Sequence, residues 1–326
     1  MQDEGPRSLE QCLEDSLDGL NKVEWIRRLA SIAEEHGQFQ ACGKRHFGAF
    51  VEAGDTLLVT FESLQGAQFN PDGGRPLGWD FVLDQGWSHL GLFSDGDTWF
   101  RDHNVYGYFD RLIDDGFFED FETVIFYGAG PAGYAAAAFS VSAPGARVVM
   151  VQPQATLDPR VTEWDDRFTH MRRIAFTDRY GYAPDMLDAA QHAYVLYDPS
   201  EDLDAMHAAL FTRSNVTKLR MRFFGTALQG DLQKLGLLAP LLEQAADDHL
   251  TKHSFAKLHR ARRDYGGYLR NLLGALDSRD RPYLAALLCR NVTDRMKVPR
   301  FRRRLDALKK LGAEGKAKLP PGLRND

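Results

Sequence analysis

The sequence predicts an α/β fold: a mostly parallel sheet flanked by helices, with a helical appendage at the C-terminal end. Three observations predict it. Short apolar, β-rich runs recur through the middle of the chain, and helical stretches separate most of the later ones. After about residue 228 the strand signal stops and only helical periodicity continues. Several of the runs are almost continuously apolar, as expected of strands covered on both faces. Parallel neighbours joined by helices imply crossover connections.

In chain order, residues 1–36 read as a helical lead-in, whose segment WIRRLASIAEEHG has apolar residues at helical spacing and ends at Gly37. Candidate strands follow at 46–54, 56–63, 89–96, 123–130, 147–154, 193–199 and 216–223. Only Gly54 and Asp55 separate the first two, so an antiparallel hairpin is expected at one sheet edge. Residues 94–121 mix aromatics with Asp, Arg101 and His103. They read either as an amphipathic helix with an aromatic core face or as a loop covering a ligand. Helices are expected at 228–250, 253–276, 280–291 and 299–312, with breaks near Ser278–Pro282 and Val298–Pro299. The expected division is a lead-in (1–36), an α/β domain (37–238), a basic helical appendage (239–314) and a flexible tail (315–326).

At 326 residues and 44% hydrophobic, the chain can bury a substantial core. Its net charge of −6 conceals an asymmetry. Residues 250–326 hold 20 Lys and Arg against 7 Asp and Glu, a net of +13, which leaves −19 for residues 1–249. Either the basic segment packs on the acidic body, or it offers a face to a protein, nucleic acid or another polyanion. Cys12, Cys42 and Cys289 are widely spaced and form neither a CxxC pair nor a metal motif. With a polar, acidic N-terminus and no apolar run of about 18 residues, the expectation is a reduced, cytoplasmic protein that does not span a membrane.

The stretch TVIFYGAGPAGY, Thr123 to Tyr134, reads as a buried strand, a glycine-rich turn and the start of an Ala-rich helix. A nucleophile elbow has this shape, with a G-x-S-x-G turn lifting a serine above the sheet beside oxyanion-holding amides. Here the turn is Gly128, Ala129, Gly130, Pro131, Ala132, Gly133, without a serine. The helix start still offers an anion site, or the glycines serve only tight strand–helix packing. At the other strand ends stand Gln152 and Gln154, then Asp158-Pro159-Arg160 and the Trp164–Phe168 segment WDDRF, then Asp198. Asp198 sits where an acid that orients a histidine would be expected. His207 lies in a helical context that favours packing over chemistry. The last strand runs into Gly225-Thr226, and no histidine is present there.

These residues resemble a bacterial branch of the α/β-hydrolase superfamily. Its members read roughly YGSSMGGYAAL after the elbow strand, then a strand ending SPQ, a DPR…WDDRF-like segment, a strand ending YDP, and a Gly-His loop near the last strand. This chain matches at Tyr127, Gly128, Gly133, Tyr134 and Ala135, at Pro153-Gln154, at Asp158-Pro159-Arg160, at Trp164–Phe168 and at Asp198-Pro199. The match covers roughly residues 47–238. It implies an α/β-hydrolase-like sheet, and some such relatives occur with polysaccharide or surface-glycan functions. Gly130 stands where the resemblance implies the nucleophile and Thr226 where it implies the base, so of the triad only Asp198 remains. Look-alikes sometimes labelled phosphoadenosine phosphosulfate reductases need a reactive tail cysteine and an SGGKDS-like loop, and both are missing here.

The leading expectation is therefore a catalytically degenerate protein that binds. Gly128, Ala129, Gly130, Pro131, Gln152, Gln154 and Asp198 would form the site for a small anionic or carbonyl ligand, with no metal or cofactor. The basic C-terminal helices would engage a protein or polyanion. The alternative is rewired acyl- or glycosyl-transfer chemistry using Asp198, His103, Thr226 or the Gln152/Gln154 pair.

Overall fold

A computed structural model describes residues 7–322. Eight strands form one sheet: β1 (Gly37–Ala41), β2 (His46–Val51), β3 (Thr56–Ser63), β4 (Ser88–Ser94), β5 (Thr123–Ala129), β6 (Arg147–Val151), β7 (His192–Tyr197) and β8 (Val216–Arg220). Their spatial order is β1-β2-β4-β3-β5-β6-β7-β8. Pairing is parallel from β4 through β8, and β2 is antiparallel to both β1 and β4. This is the α/β-hydrolase arrangement.

Period-two alternation explains why the middle strands read as continuous apolar runs. In β5, Val124 and Phe126 enter the core on one face, while Ile125 and Tyr127 enter the core on the other. Val148 and Met150 of β6 split from Val149 and Val151 in the same way. Helices His103–Asp114 and Pro131–Phe139 cover the first face, and helix Leu238–Ala246 covers the second. His103–Asp114 buries Val105, Tyr108, Phe109 and Leu112, so the aromatic-rich segment is an amphipathic helix with a core face.

Four details depart from the sequence reading, the first being that the helix expected over 253–276 is broken into helix Lys252–Leu258, a 3-10 turn His259–Asp264 and helix Gly266–Ser278. The hairpin expected between residues 46–54 and 56–63 does not form. β3 instead crosses to pair in parallel with β4 and β5, and the edge hairpin joins β2 to β1. β1 had no strand signal, because GQFQA alternates polar with apolar for only five residues directly after a helix. The single helix expected over 228–250 is two, Leu228–Lys234 and Leu238–Ala246, broken at Gly236 with its φ of +63°.

The lead-in helix Lys22–His36 starts with a capping box between Asn21 and Glu24. It packs Trp25, Leu29, Ile32 and Ala33 beneath β2 and β4. Phe255 of helix Lys252–Leu258 still joins the main core, whereas Leu269 through Leu308 build a separate small core from helices Gly266–Ser278, Pro282–Arg295 and Pro299–Ala313. Leu319, in the stretch expected to be a flexible tail, is buried in that small core, and residues 323–326 lie outside the described part. No described helix is long and apolar enough to cross a membrane. All three cysteines are free and buried. Cys12, Glu35 and His36 bring ligand-type atoms within 4.8 Å of one another, a proximity that the sequence spacing concealed.

Candidate functional site

The turn after β5 is tight because the next-to-last residue of the strand, Gly128, must be glycine. A Cβ on Gly128 would lie 2.1 Å from the Ala132 carbonyl oxygen and 2.8 Å from the Gly133 nitrogen, so the helix crosses directly against the strand. Gly130 then turns the chain with φ 57° and ψ −124°. Non-glycine residues hold such a conformation only under strain, as the nucleophile of an elbow does. Pro131 opens the helix at a position that needs no amide. A Cβ at Gly130 would meet nothing within 4 Å, so the position faces open space.

The anion-binding capacity of this turn is smaller than glycine content suggests. Gly130 donates its N–H to the Val151 carbonyl at 2.8 Å, and the Tyr134 N–H returns to the Gly130 carbonyl at 3.0 Å. Pro131, the residue after Gly130, has no N–H, whereas an elbow hydrolase takes one of its two oxyanion donors from the residue after its nucleophile.

Asp198 is completely buried, and its two oxygens are committed to two backbone N–H groups and one hydroxyl. Its Oδ1 accepts from the Ser200 N–H at 2.8 Å and from the Ser200 hydroxyl, and its Oδ2 accepts from the Gly225 N–H at 2.7 Å. It fastens the loop after β8 to the end of β7. Thr226, on that loop, is exposed at the rim of the elbow cavity. His103 is 89% exposed on its side chain and lines neither cavity of the cleft.

Gln152 holds a left-handed backbone, φ 49°. Its Nε2 donates to Asp204 at 2.7 Å and to the Gly225 carbonyl at 3.3 Å, while its Oε1 accepts from the Leu228 N–H at 3.1 Å. Gln154 is only 3% exposed. It donates to the Gln152 carbonyl at 3.2 Å, and its Oε1 has no partner.

Behind these glutamines lies a chain of charges that sequence reasoning left as separate pieces: Asp165, Asp204 and His207 are buried, and Arg167 reaches them from the surface. Arg167 pairs with Asp165 at 2.8 Å and with Asp204 at 2.6 Å. Asp165 accepts from His207 Nε2 at 2.9 Å, and His207 Nδ1 accepts from the Ala155 N–H at 3.1 Å. With Nδ1 accepting, His207 is a neutral ring whose Nε2 carries the proton. Burial pushes its pKa down, consistent with that form. Burial alone would raise Asp165, but the hydrogen bonds from Arg167 and His207 hold it below the usual carboxylate value. The WDDRF segment and the lone helical histidine were the available signals. Only the fold shows that they meet.

The cleft over the elbow consists of two adjoining cavities that share Ala129, Pro131 and Gln229. The first, about 330 Å³, is lined by Gly130, Gln152, Gln154, Phe168 and Thr226. The second, about 400 Å³, lies over the ends of β3 and β4 and is lined by Phe61, Glu62, Asp97 and Trp99. Trp99 is 1% exposed, has φ 51°, and its Nε1 has no partner. So Gly130, Gln152, Gln154 and Thr226 converge on one cavity, together with Ala129 and Pro131. Gly128 and Asp198 line neither cavity and serve as structural supports.

Glu62 is a member of the site that the sequence did not single out. Burial pushes its carboxyl up to about 7, against hydrogen bonds from the Thr60 hydroxyl and the Leu77 N–H. A carboxyl raised above its unfolded value near 4.5 favours folding most below that value. The contribution is lost as pH rises through about 7. Glu62→Gln is therefore expected to flatten the fall in stability between pH 4.5 and about 7, measured by urea unfolding across that range. An unchanged pH slope would refute the raised carboxyl.

No family model matches the chain, and no curated protein matches it. Among solved structures it is similar to the capsule O-acetyltransferase of Neisseria meningitidis serogroup A (12% identity, TM-score 0.36, 59% of this chain and 90% of that one). It is also similar to Est1E from Butyrivibrio proteoclasticus (13%, TM-score 0.41, 64% and 98%) and to the acylaminoacyl peptidase of Pyrococcus horikoshii (9%, TM-score 0.43, 68% and 42%). At such scores the fold assignment rests on this chain's own strand order. That order, with β2 antiparallel and the turn after β5, makes the chain an α/β-hydrolase-like protein with a C-terminal helical appendage.

Proposed function

We propose that this protein binds a small polar ligand in the elbow cleft and performs no serine-hydrolase chemistry. The observation that carries the reading is the turn itself: an elbow-like backbone over an open cleft, with an unstrained glycine where a nucleophile would stand and proline where an oxyanion amide would be. Two unpaired polar atoms support binding. Gln154, whose Oε1 is an acceptor, lines one cavity and Trp99, whose Nε1 is a donor, lines the other. A buried polar group without a partner costs about 1–3 kcal/mol, which a bound ligand would offset. Glu62 and Asp97 line the second cavity, so a carbonyl ligand suits the site better than an anion. Its oxygen would accept from Trp99 Nε1, and a donor on the same molecule would reach Gln154.

The test is twofold. Native mass spectrometry of gently purified protein is expected to show a small co-purifying ligand that Trp99→Phe and Gln154→Leu each release. Assays over ester and thioester panels are expected to show no turnover, and Gly130→Ser is expected to gain none, because Pro131 still lacks its N–H and the base is still missing. Robust turnover by the unaltered protein would sink the non-hydrolytic reading.

A further inference from the structure

Four cations of the basic C-terminal segment meet two from β8 at one groove, away from the cleft. It wraps the last edge of the sheet, between β8 and the segment from Lys252 to Arg263, with a volume of about 880 Å³. Lys218 and Arg220 line it from β8, and alternation puts these two on one face. Lys252, Arg260, Arg262 and Arg263 line it from the opposite wall, and no Asp or Glu lines it. A seventh cation, Arg213, is paired with Asp185 and Asp188. The other six make no carboxylate ion pair among the described residues. Arg262 donates only to the His259 carbonyl, at 2.6 Å, and lies over the Tyr268 ring. Lys218 reaches only the Ala209 carbonyl, at 3.4 Å.

Such crowding of like charge is unfavourable unless an anion relieves it. Two groups register the strain. Burial and then the neighbouring Arg220 push Lys218 down, and burial and then Arg262 push His259 down to about 4. His259 is 8% exposed, lines the groove, and leaves Nε2 without a partner.

We infer that this groove binds a ligand carrying clustered phosphates, of the size of an inorganic or nucleoside polyphosphate. The volume lies within the range of small-ligand sites, and six unpaired cations match the charge of a phosphate chain better than that of a single carboxylate. The groove's two phenylalanines, Phe211 and Phe255, are 1% and 5% exposed, so no open ring offers a platform on which a base could stack. The phosphate chain is therefore what the groove reads, and a nucleoside attached to it adds little. This site shares no residue with the cleft, so its test is independent of the proposed cleft function.

Calorimetric titration of the full chain with sodium tripolyphosphate, ATP and GTP tests the inference. All three are expected to saturate one site with affinities within about fivefold of each other, each weakening as salt rises. Lys218→Glu with Arg220→Glu is expected to weaken tripolyphosphate at least about tenfold. Lys252→Ala with Arg263→Ala, on the other wall, is expected to weaken it similarly, which guards against a misfolded first variant. Unchanged affinity in both folded variants overturns the inference. So does binding of one nucleotide without tripolyphosphate, or binding of a single-stranded RNA oligonucleotide with no binding of tripolyphosphate. That last result would assign the groove to nucleic acid instead.

Discussion

Arg167→Ala is expected to lower stability by about 3–5 kcal/mol, because it strands two buried carboxylates at once. The side chains of Asp165 and Asp204 are 1% and 4% exposed, and Arg167 is the cation that pairs with both. Removing it leaves Asp165 with the neutral His207 and Asp204 with the amide of Gln152. The loss should extend to the cleft, since Gln152 also holds the Gly225 carbonyl and the Leu228 N–H on the cleft wall. The pH dependence has a definite sign. Asp165 is held below its usual value near 3.8, so its contribution is complete above that value and is lost as pH falls through the lowered one. The gap between the unaltered protein and Arg167→Ala should therefore narrow in acid. Urea unfolding at pH 7 and in acid measures both. A variant within about 1 kcal/mol of the parent at pH 7 would mean that the chain of charges contributes little, as surface pairs do.

Gly128→Ala should be nearly as damaging, and far more so than Gly130→Ala, although both alter the same turn. The new methyl at Gly128 would meet the Ala132 carbonyl carbon at 2.4 Å as well as its oxygen. Those are backbone atoms of a helix whose next residues, Tyr134 through Phe139, are fully buried. Nothing there can yield cheaply, so a loss of about 3 kcal/mol or more is expected. At Gly130 the methyl enters open space and bears only the conformational cost of a positive φ, about 1–2 kcal/mol. Thermal unfolding of the two variants side by side decides it. Equal losses would show that the turn is not held against the strand as described.

Much of the architecture was legible in the chain. The apolar runs of β5, β6 and β7 carry their own signal, since burial on both faces demands apolar residues at every position. The breaks at Ser278–Pro282 and Val298–Pro299 were legible because proline opens helices Pro282–Arg295 and Pro299–Ala313. The hairpin expected around Gly54 was not, because pairing is a long-range choice. β3 is buried on both faces and takes an interior place between β4 and β5, leaving the edge to β1.

For the site, the sequence by itself determined the residue types: glycine without a nucleophile at 130, proline at 131, threonine at 226, and a surplus of cations beyond residue 250. The tertiary structure decided what they do. It committed Asp198 to the loop after β8 and joined the buried His207, Asp165 and Asp204 through Arg167 into one chain. It also set cations from β8 opposite those of the Lys252–Arg263 segment. The physical reason is that a local pattern fixes backbone conformation over a few residues. Burial, charge pairing and an unpaired buried atom exist only between segments that lie far apart in the chain and meet when the sheet closes.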